Sequence, residues 1–375
     1  MVYRVLLTGL ALSPALAVSV LPASVAGLAL GGLGALYALV TSIRVSRARG
    51  GPSRRTLLRR KLPRHALDGL PTVEQMRAEL TLAVTEPVLP EDAVFPTRPE
   101  RAVGQALSGV LARCAKPDPE ALDEVSVREL YLFRQVLTAE PGEAGRLAQL
   151  FRRPELVLDV RQEIEAIAAT REVFDRKHDA YLATQALWQQ QMRGAEPGSL
   201  PAALRALSAP DPDLWHYVVG QGDLTDPDQR AAITWCLQEE SCDRATVALY
   251  FYRVARDGVL DRALRQRDME TIRLVEAVIR RWNDRCRRRQ EIALPAARGE
   301  AALSEALTRV AEATGRKRVA DPHGAFLGFD GRPARPREFW NLTTGRLTAA
   351  PRLTDFVDLP VPAEAGPLAA PRRDD

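Results

Sequence analysis

PELVLDVRQEIEAIAATREVFDRKHDAYLATQALWQQQM, from Pro154 to Met192, decides the fold class. Leu156, Val160, Ile164, Ile167, Val173, Tyr181 and Trp188 recur at helical spacing with charged residues between them, the stripe of a long amphipathic helix. The pattern allows a break near Thr170. Working outward, the same periodicity returns on both sides. Upstream, Val103, Ala106, Leu107, Val110 and Leu111 predict a helix over 102–114, Leu130, Phe133 and Val136 another over 125–137, and a third covers 143–151. Thr72 with Gln75 resembles a capping box for a helix running to about Val84. Pro87, Pro90, Pro96 and Pro99 then favour an extended linker.

Downstream, a break over 194–199 precedes a short helix over 201–207, and Pro210-Asp211-Pro212-Asp213 punctuates the chain before Leu214-Trp215-His216-Tyr217-Val218-Val219. Asp226 and Pro227 open a helix with an acidic N-cap and proline at its first position. Asp243 is placed to cap the next, beginning near Arg244. Met269, Ile272, Val275, Ile279, Trp282 and Cys286 predict a helix from Asp268 to Glu291, whose arginine-rich end complements the helix dipole. Beyond Gly315, prolines and glycines mark turns, with short strands expected over 325–329 and 338–342 and Thr344-Gly345 as a hairpin turn. The expected fold class is mainly α. Its parts are a membrane anchor (1–43), a basic juxtamembrane linker (44–70), a short helix and proline-rich linker (71–100), two helical domains (101–193 and 194–314), a turn-rich segment (315–360) and a disordered tail (361–375).

The first residues set the expected location. Val5 to Ile43 carries no charge and would reach about 58 Å as one helix, against a hydrocarbon core of about 30 Å. Pro14 and Pro22 interrupt it. A hairpin of two membrane helices is therefore preferred over one tilted span, or over a signal peptide cleaved after Ala17 and followed by an anchor. Ala23, Gly27, Gly31 and Ala35 line one face of the second span, where two arms or two copies can approach closely, so a homo-oligomer is one expectation. Arg44, Arg47, Arg49, Arg54, Arg55, Arg59, Arg60 and Lys61, with Arg64, follow without an acid between them. The positive-inside rule holds such a cluster in the cytoplasm. The expected site is a bacterial inner membrane with a cytoplasmic body. The same bases are candidate contacts to anionic lipid head groups, at about 1 kcal/mol each.

The chain's 52 Lys+Arg against 48 Asp+Glu give a net charge of +4. Residues 1–64 supply ten of those bases and no acid, which leaves 42 bases against 48 acids, net −6, in the remainder. With aromatics at 6% and few of them among the basic runs, nucleic acid is a disfavoured partner. Four scattered cysteines, Cys114, Cys236, Cys242 and Cys286, fit a reducing compartment rather than a disulfide framework.

One segment carries a resemblance. Leu214-Trp215-His216-Tyr217-Val218, an acidic turn, Ile233-Thr234-Trp235-Cys236-Leu237, and Cys242-Asp243-Arg244-Ala245-Thr246 followed by an apolar helix resemble a small helical bacterial domain family of unknown function. The likeness covers about residues 213–257. Trp215, His216, Tyr217, Cys242, Asp243 and Thr246 are its candidate functional or structural residues. The family implies a compact helical unit and no activity. Gln221-Gly222-Asp223 and Val247 depart from its pattern.

No phosphate-binding loop, dinucleotide fingerprint, nucleophile elbow or zinc-protease motif is present in the sequence. His216, Cys236 and Cys242 match no usual zinc spacing. No metal, cofactor or catalytic residue is therefore expected. The leading expectation is a membrane-anchored helical adaptor or scaffold that binds another protein. One alternative is a hydrolase-like enzyme with Trp215, His216, Asp223 and Asp243 in a single cleft. Another is a protein that senses anionic lipid through its basic stretch.

Overall fold

A computed structural model of the chain describes residues 69–87, 94–113, 118–194, 198–284 and 289–358. The chain is mainly helical, with twelve α-helices and one two-stranded hairpin among the described residues. No helix among them is long and apolar enough to cross a membrane. The expected anchor with Ala23, Gly27, Gly31 and Ala35, and the bases from Arg44 to Lys61, lie outside the described residues. The chain divides into two compact units between Ala169 and Thr170, and the break over 194–199 falls within the second.

The first unit contains α1 (Val73–Val84), α2 (Pro99–Arg113), α3 (Glu124–Thr138), α4 (Pro141–Ala148) and the start of α5 (Pro154–Met192). Thr72 and Gln75 close a reciprocal capping box on α1. Met76, Leu80, Leu107, Val127, Val136 and Phe151 are core residues. At Gly104 the backbone of α2 comes so near α1 that a Cβ would strike the Ala83 carbonyl. The buried Arg161 donates to the Val136 carbonyl at 2.7 Å, which satisfies an acceptor in the last turns of α3.

Helix α5 runs unbroken through Thr170. Its sequence holds no proline after Pro154 and no glycine, and ion pairs one turn apart support it on both sides of Thr170: Arg161–Glu165 at 2.8 Å, Arg171–Asp175 at 2.8 Å and Arg176–Glu172 at 2.7 Å.

The second unit, Thr170–Asp358, adds α6 (Leu200–Ala206), α7 (Pro212–Gln221), α8 (Pro227–Gln238), α9 (Arg244–Arg256), α10 (Val259–Gln266), α11 (Met269–Asn283) and α12 (Glu300–Thr314). Its core is one cluster with an aromatic run at the centre. Phe251 meets Trp282 edge-on at 5.6 Å, Trp282 meets Phe329 at 6.1 Å, and the Arg244 guanidinium lies 4.9 Å over Trp282.

The expected hairpin forms from β1 (Trp340–Asn341) and β2 (Arg346–Leu347), antiparallel with Trp340 opposite Leu347. Gly345 sits in its turn at φ +70°, where a Cβ would come within 2.8 Å of Leu200 Cα. Gln191, in the last turn of α5, holds the turn at both ends: its amide donates to the Gly345 carbonyl at 3.2 Å and its oxygen accepts from Leu347 N at 2.9 Å.

Two expected elements differ. The strand over 325–329 is a turn, with a single bridge from Phe329 to Leu294. The helix expected to reach Glu291 ends at Asn283. Residues 285–288, including Cys286 and most of the arginine-rich end, lie outside the described residues, and Arg289 and Gln290 are non-helical. The reason is tertiary: Arg244 N donates to the Arg289 carbonyl at 3.0 Å, and the Glu291 and Ile292 amides donate to Asp243 at 2.7 and 3.3 Å. Helices α10 and α12 are not signalled in the sequence, where Gly258 and Gly299 stand at their N-caps with no side-chain cap.

Candidate functional site

The residues marked by the resemblance fall into a core and a junction. Trp215 is buried and meets Trp235 edge-on at 5.8 Å, whereas Tyr217 is half-buried on the same helix. Cys236 and Cys242 are buried thiols, and burial pushes the Cys236 thiol well up. Among the described residues no group of potential metal ligands gathers.

Asp243 is the junction. Its Oδ1 caps α9 by accepting from Ala245 N at 2.8 Å, and its Oδ2 takes the two amides of residues 291 and 292. Burial raises its carboxyl, opposed by these amide hydrogen bonds. Asp243→Ala strips the acceptor from three amides and is expected to cost about 2 kcal/mol. Urea unfolding followed by tryptophan emission reads this, with Asp243→Asn recovering part of the loss; an alanine variant as stable as the parent would remove Asp243 from this role.

His216 stands one turn from the start of α7. Its Nδ1 shares a hydrogen bond of 3.0 Å with Oγ1 of the buried Thr246. Burial pushes the imidazole pKa down to about 4, with Arg332 adding to the shift and Asp213 opposing it. The ring is neutral at pH 7. Asp223, the fourth residue of the hydrolase reading, is exposed and bonds Thr225 through both amide and hydroxyl at 2.7 Å. The charges around it are Arg262 and Arg253 rather than the Asp213 and Arg332 that surround His216. Trp215, His216, Asp223 and Asp243 therefore do not make one constellation.

A denser polar site lies next to His216 and was not singled out in the sequence. The Pro210–Asp213 turn, α5, residues 289–291 and residues 332–337 wall a narrow cleft with Phe356 at its edge. Asp211 caps α7, accepting from Asp213 N and Leu214 N at 3.1 Å each. Its carboxylate also accepts from Arg337 Nε at 2.8 Å and Nη2 at 3.2 Å. Both are shut away from water: Arg337 is 1% and Asp211 2% exposed. The Arg337 guanidinium lies 4.1 Å over the Phe356 ring.

Asp213 takes both arms of Arg332, at 2.7 and 2.9 Å, and the Arg335 amide at 3.0 Å. Burial alone would raise its carboxyl; Arg332, Arg337 and the Arg335 amide outweigh that and hold it below the ordinary value. Glu291 is shared by Arg176 at 2.7 Å and Arg289 at 3.5 Å.

The same unit carries an apolar groove of about 520 Å³ between α9 and the extended chain after Ile292, lined by Leu249, Tyr252, Leu294, Pro295, Ala296, Ala297 and Arg298. Arg298 is exposed and has no ion-pair partner among the described residues.

No family model, curated protein or solved structure matches this chain.

Proposed function

We propose that the chain is a membrane-anchored helical adaptor whose second unit holds a segment of another protein on the cytoplasmic side. The observation that carries the reading is the groove beside Leu249 and Tyr252, apolar along its length and basic at its Arg298 rim. Such a surface suits an apolar segment flanked by an acidic residue, since aromatic and aliphatic anchors supply binding energy while a rim charge orients the partner. The apolar run from Val5 to Ile43 supports the anchor, and the bases that follow it support a cytoplasmic body. The resemblance of residues 213–257 adds a compact helical unit to this proposal and no activity.

The full chain is expected in a carbonate-resistant membrane fraction, with its C-terminus protected from protease in intact cells. A photo-cross-linker at Tyr252 should give one discrete heavier adduct in native membranes, lost on Leu249→Glu, while the same label at the exposed Glu312 gives none. A periplasmic C-terminus, or equal labelling from both positions, overturns the proposal.

A further inference from the structure

The cleft beside His216 holds more positive charge than its structure uses. Arg176, Lys177, Arg289, Arg332 and Arg337 line it against Asp211, Asp213 and Glu291, an excess of two positive charges, of which the exposed Glu172, 2.7 Å from Arg176, offsets one. Arg335 and Asp358, paired with each other at the edge, leave that excess unchanged. Asp211 and Asp213 are each engaged by an arginine fork, and Glu291 takes Arg176 and Arg289 on one oxygen. Lys177 has no hydrogen-bond or ion-pair partner among the described residues although it is half-buried on α5. Arg332 adds a buried Nε without an acceptor. Burial, then Arg332 and Arg335, push the Lys177 ammonium below its ordinary value, with Asp213 and Asp358 opposing.

We propose that this cleft binds a phosphoryl dianion, with Lys177 as its principal contact and Arg335 as the second. The chemistry of the remaining donors selects this class. Planar, bidentate recognition of a carboxylate belongs to arginine forks, and those of Arg332 and Arg337 are closed on Asp213 and Asp211. What remains is the Lys177 ammonium, which binds phosphate as a compact point charge, beside the Arg289 guanidinium, which meets Glu291 only through Nε at 3.5 Å, in a positive field that favours the doubly charged phosphomonoester over a single carboxylate. The cleft offers about 30 Å³, room for about two water-sized groups. Phosphoryl oxygens enter it and the rest of the ligand stays at the mouth. The source is a soluble phosphate or a lipid head group carrying the same dianion. The inference rests on the cleft and not on the adaptor reading, whose groove is lined by other residues.

The chain has four lysines, Lys61, Lys116, Lys177 and Lys317, so acylation by an amine-reactive ester is assigned by peptide mass. Lys317 is exposed and serves as the internal reference. The full chain in detergent is labelled with inorganic phosphate, glycerol 3-phosphate or dibutyryl phosphatidic acid, and with acetate or chloride at matched ionic strength. At about ten times its half-protecting concentration, at least one phosphoryl compound should slow labelling of Lys177 about tenfold, the factor 1 + [L]/Kd, while leaving Lys317 unchanged. Arg335→Gln should raise the concentration needed by about tenfold, and Asp358→Asn, which frees Arg335, should lower it, with tryptophan emission confirming the fold of each. Protection by all three compounds assigns a soluble source, and protection by the phosphatidic acid alone assigns a lipid one. If none protects Lys177 beyond Lys317, or acetate protects as well as phosphate, the proposal fails.

Discussion

Arg337→Ala is expected to destabilise the second unit by about 3–5 kcal/mol, the cost of removing one partner from a buried ion pair. The substitution leaves Asp211, 2% exposed, without its counter-charge, and strips the Phe356 ring of the guanidinium over it. Asp213 also loses the second cation beside it, 3.7 Å away. All five tryptophans, Trp188, Trp215, Trp235, Trp282 and Trp340, belong to residues 170–358, so urea unfolding followed by their emission reports on this unit. Arg337→Lys should recover part of the loss, because an ammonium keeps the charge but cannot make both contacts of the fork. Arg309→Ala is the control. Its pair with Asp261 is 47% and 31% exposed, and its loss should leave the unfolding midpoint nearly unchanged. An Arg337→Ala variant that unfolds at the parent's midpoint would show that the Arg337–Asp211 pair does not hold this unit together.

The second large effect is in acid. The His216 imidazole has a pKa of about 4 in the folded chain against an ordinary 6.5, so between those values the unfolded chain binds the proton and the folded chain does not. The stabilisation is complete above about pH 6.5, is lost progressively as pH falls toward 4, and amounts to about 3 kcal/mol at 1.36 kcal/mol per pH unit. Asp213, whose carboxyl is held below its ordinary value, contributes in the same direction but at more acid pH. Its share is present above about pH 4 and goes only as pH falls through its lowered folded value. Unfolding midpoints at pH 7 and pH 4.5 should therefore diverge in the parent and much less in His216→Gln. A proton NMR titration of the four histidines should show one ring titrating near 4; if the His216 ring titrates near 6.5, the burial argument is wrong.

Elements specified by near neighbours were legible in the sequence. The Thr72–Gln75 box, the Asp226 and Asp243 caps and the Thr344-Gly345 turn each need only residues within a turn of one another, and all form. The charged cleft could not be read in this way. Asp211 and Asp213 look like loop punctuation between prolines, and their arginines stand among many in a turn-rich segment. Nothing local says which of them returns to which carboxylate. The helix expected to continue to Glu291 failed for a related reason. A run of arginines favours helix, but the backbone at 289–292 is claimed by Asp243 and Arg244, and tertiary hydrogen bonds override local propensity.

The cleft also fixes an order of events during synthesis. Asp213 and Asp211 emerge from the ribosome 119 and 126 residues before the arginines that neutralise them. Until Arg332 and Arg337 follow, burying either carboxylate carries an uncompensated desolvation cost, so the Pro210–Asp213 turn stays hydrated and α5 lacks that neighbour. Helices α6, α8, α9 and α11 can form early from their own side-chain caps, but the last closure of the unit waits for residues 332–356. A chain truncated after residue 325 should leave Lys177 as reactive as Lys317, and one ending after residue 358 should not.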